Sequence, residues 1–157
     1  MEAPLTSRFN IRRVEPQDLP RIAAIEAAAY PWATHWTPES YLCPPGGERW
    51  AYVAQGERGV AGFVLARWVG GEMEILNLAV EPEERRRGAG RALVAAALEE
   101  GAGRGAAQVF LEVRESNRAA REFYSRLGFA VCGRRPGYYQ EPEEDAVLMA
   151  RAVAPHS

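Results

Sequence analysis

Apolar and polar residues change period along this chain, and the order of these changes predicts its elements. Runs of alternating or clustered apolar residues, rich in β-branched and aromatic types, predict strands at residues 9–15, 50–55, 59–69, 72–81, 109–113, 129–135 and 146–152. Apolar residues at helical spacing predict helices at residues 18–29, 89–102 and 117–127, and a further helix that begins at residue 37. The predicted order is therefore β-α-α-β-β-β-α-β-α-β-β.

The predicted helix ends carry residue types that suit them. Asp18, Thr37 and Asn117 stand where a side-chain oxygen can accept a hydrogen bond from the first turn of a helix. Pro31 disfavours helical geometry in the residue before it and so ends the first helix. Gly128 follows the last helix, where glycine commonly adopts the left-handed conformation that ends a helix.

The order of elements predicts a mixed sheet. Three strands separated by short glycine-containing turns predict an antiparallel meander, and the strand–helix–strand unit after it predicts a parallel pair. The strand at 109–113 is almost continuously apolar, which favours a central position. We expect an α+β fold with helices on the faces of the sheet, one domain over residues 1–157, and a loop at 136–145.

Composition narrows the classes of function. The chain has 19 basic and 21 acidic residues and a net charge of −2, so it lacks the basic excess of a protein that coats nucleic acid. No apolar run is long enough to span a membrane, and residues 1–13 lack the apolar core of a signal peptide. We therefore expect a cytoplasmic protein without a direct nucleic-acid or membrane partner.

Lysine and cysteine chemistry is also limited by composition. Every basic residue is an arginine, which excludes a lysine Schiff base or a lysine general base. Cys43 and Cys132 form no CxxC pair and predict no metal or redox site, so we interpret them as two ordinary, partly buried thiols.

The segment after the strand at 72–81 predicts an anion site. It is a loop followed by a basic, glycine-containing turn that opens a helix: Arg85, Arg86, Arg87, Gly88, Ala89, Gly90 and Arg91. Free N–H groups at a helix start bind anions, glycine allows close approach of the backbone, and arginine adds charge-assisted hydrogen bonds. Three adjacent arginines at this end oppose the helix dipole, so a purely structural role explains them less well than binding of a diphosphate.

Two other nucleotide motifs compete for this segment. A Walker A loop is excluded because no Gly-Lys-Ser/Thr follows. A Rossmann turn is the closer rival, since Gly88 and Gly90 lie between a strand and a helix, but Leu93 stands where that motif needs its third glycine.

The turn resembles the acetyl-CoA motif of the GCN5-related N-acetyltransferases, in which a basic or Gln residue and two residues precede Gly-x-Gly/Ala. Two further segments, residues 110–117 and 119–129, resemble the RimI-type branch, the ribosomal-protein alanine N-acetyltransferases. Tyr30-Pro31-Trp32 and the Arg134-Arg135-x-x-Tyr138-Tyr139 run support the same branch. The resemblance covers almost the whole chain and implies a mostly antiparallel seven-stranded sheet flanked by about four helices.

The resemblance also implies roles for particular residues. It implies that acetyl-CoA is the cosubstrate, with its pyrophosphate on residues 86–91 and its pantetheine along the backbone of Leu78, Ala79 and Val80. Asn117 matches a cofactor contact, Glu112 the general base, and Tyr124 the general acid that reprotonates the CoA thiolate. A carboxylate at a strand end can accept an amine proton, and the pKa of a phenol lies above that of a thiol, so the chemistry is consistent.

Several assignments stay open in the sequence. Glu74 is a second candidate base, because a catalytic Glu lies at this point of the strand in the histone-type members of the superfamily. The aromatic residues Trp32, Trp36, Tyr138 and Tyr139 fall in predicted loops and could line a peptide groove or simply pack. The acidic run at 141–145 would suit a basic peptide, although a solvated loop is the simpler interpretation, and His35 and His156 form no catalytic pattern.

The function expected from the sequence is acetyl transfer to a protein N-terminus, with a ribosomal protein as the candidate acceptor. The expected mechanism is direct transfer in a ternary complex, without a metal. The alternatives are an acetyltransferase for a lysine or a small-molecule amine, and a non-catalytic acyl-CoA-binding module.

Overall fold

The computed structural model describes residues 8–30, 36–85, 87–140 and 142–153. Its strands are β1 Asn10–Arg13, β2 Arg49–Gly56, β3 Gly59–Val69, β4 Glu72–Val80, β5 Gln108–Arg114, β6 Ala130–Gln140 and β7 Glu143–Ala152. The α-helices in this part of the chain are α1 Leu19–Ala29, α2 Ala89–Gly103 and α3 Arg118–Arg126. The strands form one sheet in the order β1-β2-β3-β4-β5-β7-β6.

The pairing of the strands confirms the predicted mixed topology. Neighbouring strands are antiparallel throughout, except that β4 and β5 run parallel. The meander β2-β3-β4 leads into this parallel pair through α2, as a parallel connection requires a long crossover. β5 lies between β4 and β7, which confirms its central position.

The helices cover the two faces of the sheet and build two apolar clusters. The α2-side cluster, which also receives α3, includes Met73, Leu93, Leu111, Tyr124 and Met149. The smaller α1-side cluster includes Ile22, Ile25, Val53, Phe63 and Leu65. Successive side chains along a strand point to opposite faces of the sheet, so each central strand contributes residues to both clusters and is covered on both sides.

The prediction of an α-helix that begins at residue 37 is wrong. Residues Pro38–Tyr41 form a single 3₁₀ turn, so the described residues contain three α-helices rather than four. The Thr37 hydroxyl bonds to the Ser40 hydroxyl at 2.8 Å and makes no capping hydrogen bond. Pro44, Pro45 and the glycines after them leave no sequence in which a helix could continue.

Two of the three predicted side-chain caps are corrected by the structure. Thr37 is one, and Asp18 is the other, because its carboxylate accepts two hydrogen bonds from Arg12, at 2.8 and 2.9 Å, instead of capping α1. Asn117 does cap α3, where its Oδ1 accepts from the Ala120 N–H at 3.1 Å. Gly128 adopts φ 94° after α3, as predicted.

The loop predicted at 136–145 is also wrong. β6 continues to Gln140, and β7 begins at Glu143, so the two strands form a long antiparallel hairpin. Tyr139 pairs with Glu144 in the ladder, while a register irregularity between Arg135 and Tyr139 accommodates Pro136, which has no N–H to donate. Cys132 lies exposed on this edge strand and is not partly buried, whereas Cys43 is; both thiols are free.

Candidate active site

The central feature of the sheet is a cleft between β4 and β5. These parallel strands pair only through Met73 with Val109 and Glu74 with Phe110. β4 then continues to Val80 and β5 to Arg114 without further pairing to one another. The strands thus separate towards their carboxyl ends, where ligands of open sheets with parallel strands commonly bind.

The N-terminus of α2 lies beyond the carboxyl end of β4. A 3₁₀ turn, Pro82–Glu84, carries the chain from β4 towards Gly88, which precedes the helix with φ 95° and has no side-chain cap. The first intrahelical hydrogen bond runs from Ala92 N to Gly88 O at 3.0 Å. The N–H groups of residues 89–91 precede that bond, so they are the donors that an anion can use.

The two glycines of this turn have different structural reasons. A Cβ on Gly88 would meet no atom within 4 Å, so its left-handed φ is what favours glycine there. A Cβ on Gly90 would lie 3.1 Å from the Phe123 ring, which shows that the absence of a side chain lets α2 approach α3. The sequence predicted only one reason for glycine at positions 88 and 90, the close approach of a phosphate to the backbone. For Gly90 the structure adds a second reason, the packing of α2 against α3.

The arginines described around this turn are exposed. Arg85 donates from Nε to the Val80 carbonyl at 3.1 Å, and Arg87 lies 3.9 Å from the Glu84 carboxylate. Arg91 is on the first turn of α2, and Arg86 lies outside the described residues. A basic surface beside uncapped helix N–H groups fits the diphosphate of a nucleotide-type cosubstrate.

Tyr30, directly after α1, reaches the separated part of β4. Its hydroxyl donates to the Leu78 carbonyl at 2.7 Å. Burial is the main reason why the pKa of Tyr30 is raised; Arg85 nearby lowers it, and Glu26 raises it further. The side chains of Leu78 and Val80 pack on the α2-side cluster and that of Ala79 on the α1-side cluster. This stretch of β4 does not pair with β5, so its backbone lies at the edge of the cleft.

Tyr124 lies inside the molecule on α3. Its side chain is 6% exposed, and its ring contacts Phe123 and Phe129 edge to face at centroid distances of 5.1 and 5.3 Å. Burial raises the pKa of its hydroxyl, and Tyr30 raises it further. Tyr124 therefore packs within the α2-side cluster, together with Leu93 and Leu111.

Glu112 lies on β5 with its side chain on the α1 face. Arg135 donates from Nε to its Oε2 at 2.8 Å, and the carboxylate remains 18% exposed. Tyr138 lies beside it: the charge of Glu112 is the main reason why the pKa of Tyr138 is raised, with burial and a hydrogen bond to Glu112 next. Glu112 is partly exposed and paired, so it does not carry the cost of an unpaired buried charge.

Glu74 shares this face of the sheet. It pairs in register with Phe110, one alternation before Glu112 on β5, and its charge also reaches Tyr138. Its carboxylate accepts a hydrogen bond from Arg67 Nε at 3.0 Å. The two candidate bases are therefore brought together on one face, each with an arginine partner.

Asn117 lies just beyond β5, at the start of α3. Its side-chain oxygen is engaged in the capping bond to Ala120 N, so helix capping accounts for this residue in the structure. A cofactor contact through the rest of the amide stays a prediction.

The aromatic and acidic residues of the β6–β7 hairpin are arranged by strand geometry. Tyr138 is exposed, while burial raises the pKa of Tyr139 to about 12. The Arg114 guanidinium lies 4.3 Å from the centre of the Tyr139 ring and 3.2 Å from Glu144. Glu144 therefore already has a cationic partner within the chain, and Asp145 has one in Arg134. Fewer carboxylates of the acidic run are thus available to a basic peptide than a solvated loop would offer.

Other sequence candidates for this site lie outside the described residues. These are Trp32, His35, Glu141 and His156, while Trp36 is described and exposed. In the part of the chain that the structure describes, no three His, Cys, Asp or Glu side chains are grouped so that they could hold a metal. No helix of that part is long and apolar enough to cross a membrane.

Sequence reasoning did not identify a buried polar group beside the cleft. Glu26 of α1 is 3% exposed and accepts from Asn77 Nδ2 at 2.7 Å, and Asn77 also bonds to the Tyr41 hydroxyl at 2.8 Å. One signal was present: a glutamate on the apolar stripe of a helix and an asparagine inside an apolar strand are polar residues at core positions, where each needs a partner.

Comparisons with known proteins agree with this geometry. The model of the acetyltransferase (GNAT) family matches residues 16–129. The [ribosomal protein bS18]-alanine N-acetyltransferase of Escherichia coli (strain K12) is 36% identical over 149 residues, which are 92% of this chain and 97% of that protein.

Solved structures show the same similarity in three dimensions. The crystal structure of the ribosomal-protein-S18-alanine N-acetyltransferase from Escherichia coli superposes with a TM-score of 0.76 and 32% identity, covering 95% of this chain and 96% of the other. The crystal structure of Ard1 from Thermoplasma volcanium superposes with a TM-score of 0.80 and 28% identity, covering 93% and 98%.

The family model covers well over half of the chain, and a relative above 30% identity aligns over nearly all of it. The seven-stranded sheet, its open β4–β5 cleft and the uncapped N-terminus of α2 fit acetyl-CoA as the cosubstrate. The resemblance stated from the motifs is thereby confirmed: this chain belongs to the GNAT family of acetyltransferases.

Proposed function

We propose that this protein transfers the acetyl group of acetyl-CoA to the α-amine of an N-terminal alanine, and that its acceptor is ribosomal protein bS18, the acceptor named for its Escherichia coli relative. The observation that supports the reaction is the opening between the carboxyl ends of β4 and β5, beside the uncapped N-terminus of α2. Glu112 lies partly exposed on β5, and Tyr124 lies buried on α3. The proposal places the protein in the cytoplasm, acting as one domain on a protein N-terminus without a nucleic-acid or membrane partner.

Binding of the cosubstrate falls to the β4–α2 segment. The N–H groups of residues 89–91 and the guanidinium groups of Arg87 and Arg91 hold the pyrophosphate. The backbone of residues 78–80 pairs with the pantetheine along the open edge of β4. Its N–H groups are the donors available to polarise the thioester carbonyl as charge develops on that oxygen. Arg85 and Asn117 flank the cleft, and Arg86 is the remaining arginine of the basic sequence segment proposed to bind the cosubstrate.

Glu112 is the general base of the proposed mechanism. It accepts a proton from the acceptor ammonium, directly or through one water molecule, and passes it to solvent. The amine nitrogen then attacks the carbonyl carbon of the thioester and loses its second proton by the same route as the amide forms. An α-amine needs only a modest base. With a pKa near 8, about a quarter of it is neutral at pH 7.5, whereas a lysine amine with a pKa near 10.4 is neutral in only about one molecule in a thousand.

Tyr124 is the general acid. When the C–S bond breaks, the electron pair stays on sulfur, and the Tyr124 hydroxyl donates its proton to that thiolate. Burial keeps the pKa of this hydroxyl above its ordinary value, so the group is fully protonated before the reaction and can donate. Glu112 and Tyr124 return to their starting protonation states by exchange with solvent.

The direct test is mass spectrometry of acetyl transfer. A peptide that begins Ala-Arg-Tyr, continues with basic residues and contains one internal lysine is incubated with the protein and acetyl-CoA. Acetylation of the α-amine is the expected result. Acetylation of the lysine alone would contradict the N-terminal specificity, and no transfer despite binding of acetyl-CoA would favour a small-molecule acceptor or a non-catalytic module.

A further inference from the structure

β4 carries one extra residue next to the cleft. Its register with β3 pairs Asn77 with Leu65 and Ile75 with Ala66, so that Leu76 is left between the two pairs. Because of this bulge, two consecutive residues face α1: Leu76 packs on the α1-side cluster, and the Asn77 amide reaches Glu26 on α1. The next residue, Leu78, returns to the other face. The bulge therefore immediately precedes the backbone proposed to bind the thioester.

A buried carboxylate holds this bulge from the α1 side. Glu26 Oε2 accepts from Asn77 Nδ2 at 2.7 Å and from the Trp36 N–H at 3.3 Å. Tyr41, which is 1% exposed, bonds to Asn77 through its hydroxyl, and burial followed by the Glu26 charge raises its pKa. Glu26 thus joins three separate segments, α1, the chain at residue 36 and β4, at one point. We call Glu26, Asn77 and Tyr41 the bulge brace.

The same helix makes a second contact with β4. Tyr30 lies one turn after Glu26, its N–H donates to the Glu26 carbonyl at 2.9 Å, and its hydroxyl donates to the Leu78 carbonyl at 2.7 Å. The bulge brace and Tyr30 therefore hold two consecutive residues of β4, Asn77 and Leu78. A buried carboxylate costs folding free energy unless it is fully hydrogen-bonded, and none of the proposed chemical steps uses this one.

We propose that Glu26 is a positioning residue for acetyl transfer: through Asn77 it fixes the bulge of β4, and so it sets the orientation of the residue 78–80 backbone towards the acetyl thioester. It acts without contact to the reacting atoms. The inference deepens the proposed function, since it concerns the same cleft and the same transfer, but it holds for any acceptor amine.

The test compares Glu26→Ala with Glu26→Gln. Alanine removes the acceptor oxygens and leaves the Asn77 amide without them, whereas glutamine keeps one oxygen for Asn77 and loses only the charge. We expect Glu26→Ala to lower kcat about tenfold or more, because small misplacements of reacting groups cost that much, while Kd for acetyl-CoA changes less than about threefold. Glu26→Gln should recover most of kcat.

A spectroscopic readout separates this inference from the identity of the acceptor. The carbonyl carbon of [1-¹³C]acetyl-CoA shifts downfield on binding when hydrogen-bond donors polarise the thioester. We expect this shift in the wild-type protein and in Glu26→Gln, and a smaller shift in Glu26→Ala. If the alanine peptide stays unmodified by the wild-type protein while these shifts behave as expected, the proposed acceptor fails and the inference stands.

Glu100 offers a matched control on the other side of the sheet. Its carboxylate, 13% exposed, bonds to Arg104 at 2.8 Å and Arg13 at 3.1 Å and accepts from the Tyr52 hydroxyl. Glu100→Ala should lower Tm as Glu26→Ala does but leave kcat and the carbonyl shift unchanged. If Glu26→Ala does not fold, Asn77→Ala removes the same hydrogen bond from β4 and should show the same loss of kcat.

Two results would overturn the inference. Wild-type kcat and carbonyl shift in folded Glu26→Ala or Asn77→Ala would show that the bulge brace serves only the fold. Equal losses of kcat in Glu26→Gln and Glu26→Ala would show that the charge of Glu26, not the hydrogen bond to Asn77, is what the reaction needs.

Discussion

At the scale of single residues, the proposed base and acid differ most in burial. Glu112 is held by Arg135 at the surface of the cleft, where an amine can reach it. Tyr124 is enclosed by Phe123 and Phe129, and burial raises the pKa of its hydroxyl. Burial keeps Tyr124 protonated before the reaction, and the partial exposure of Glu112 leaves its carboxylate accessible to the acceptor amine.

Replacing Tyr124 by phenylalanine removes the proposed acid and keeps the ring. We expect kcat to fall by about two to four orders of magnitude, the usual contribution of a positioned acid, with Kd for acetyl-CoA unchanged. The edge-to-face contacts of the ring do not involve the hydroxyl, so Tm should change little. The measurement is steady-state kinetics with the alanine peptide, together with a thermal melt. Unchanged kcat would reject Tyr124 as the acid.

Amide substitutions can show which of the two carboxylates on the α1 face, Glu112 or Glu74, is the general base. Glu112→Gln should lower kcat about a hundredfold or more, because glutamine cannot accept the ammonium proton. Glu74→Gln should lower it less than about threefold, because its partner Arg67 forms an exposed ion pair of small energetic value. The pair is compared by kcat at saturating peptide. The opposite order of losses would make Glu74 the base.

At the scale of elements, a helix end and a strand bulge create the site. α2 begins without a side-chain cap after a left-handed glycine, so its first N–H groups stay available for an anion. β4 separates from β5 after two register pairs and carries a bulge within the separated part. Both features reduce regular hydrogen bonding locally, and both lie where the cosubstrate is proposed to bind.

Two glycines at opposite ends of α2, Gly88 directly before it and Gly103 at its last position, make a matched pair. Gly88→Ala forces a side chain into a left-handed conformation and should cost about 1–2 kcal/mol of folding free energy, and it should also weaken acetyl-CoA binding, because the helix start shifts. Gly103→Ala, in open space at the other end of α2, should stabilise by about 0.5–1 kcal/mol and leave binding unchanged. Urea unfolding and calorimetric titration with acetyl-CoA measure the two effects. Equal binding by both variants would contradict the role of the turn.

At the scale of the whole molecule, the first strand is fastened to the first helix by an ion pair at the edge of the sheet. Asp18 is 4% exposed and accepts from Arg12 at 2.8 and 2.9 Å and from the Glu15 N–H at 2.7 Å. Burial by itself would raise the pKa of Asp18, but these hydrogen bonds and the Arg12 charge outweigh it and hold the pKa below its ordinary value. The stabilisation is present above the unfolded-state pKa of the carboxyl group and is lost as pH falls through the folded-state pKa.

The pH dependence of stability tests this pair. Between neutral pH and about pH 5 we expect Asp18 to contribute its full stabilisation, with a loss of Tm that steepens below about pH 4. Asp18→Asn should lower Tm at neutral pH and flatten the acid limb. Thermal melts from pH 7 to pH 3 give both curves, and parallel curves for wild-type and variant would show that Asp18 does not contribute to the acid sensitivity.

The sequence predicted the strands and the helices α1, α2 and α3, because each depends on neighbours a few positions apart. These local properties include the spacing of apolar residues, the capping hydrogen bond of Asn117 and the left-handed conformation of Gly88. The prediction was wrong at residue 37, where capping residues precede a segment that is too interrupted by proline and glycine to form a helix. It was also wrong at residues 136–145, where proline and glycine indicated a loop although the strands continue to pair.

The sequence by itself determined the seven strands, the three α-helices, the mixed sheet and the family of this protein, through patterns that lie within single segments. Only the tertiary structure decided which polar side chains meet. Glu26 and Asn77 are 51 positions apart, and Tyr30 and Leu78 are 48 apart. The physical reason is that a buried donor or acceptor must be satisfied by whatever the fold packs against it, and that partner is set by the packing of α1 on β4 rather than by its neighbours in the chain.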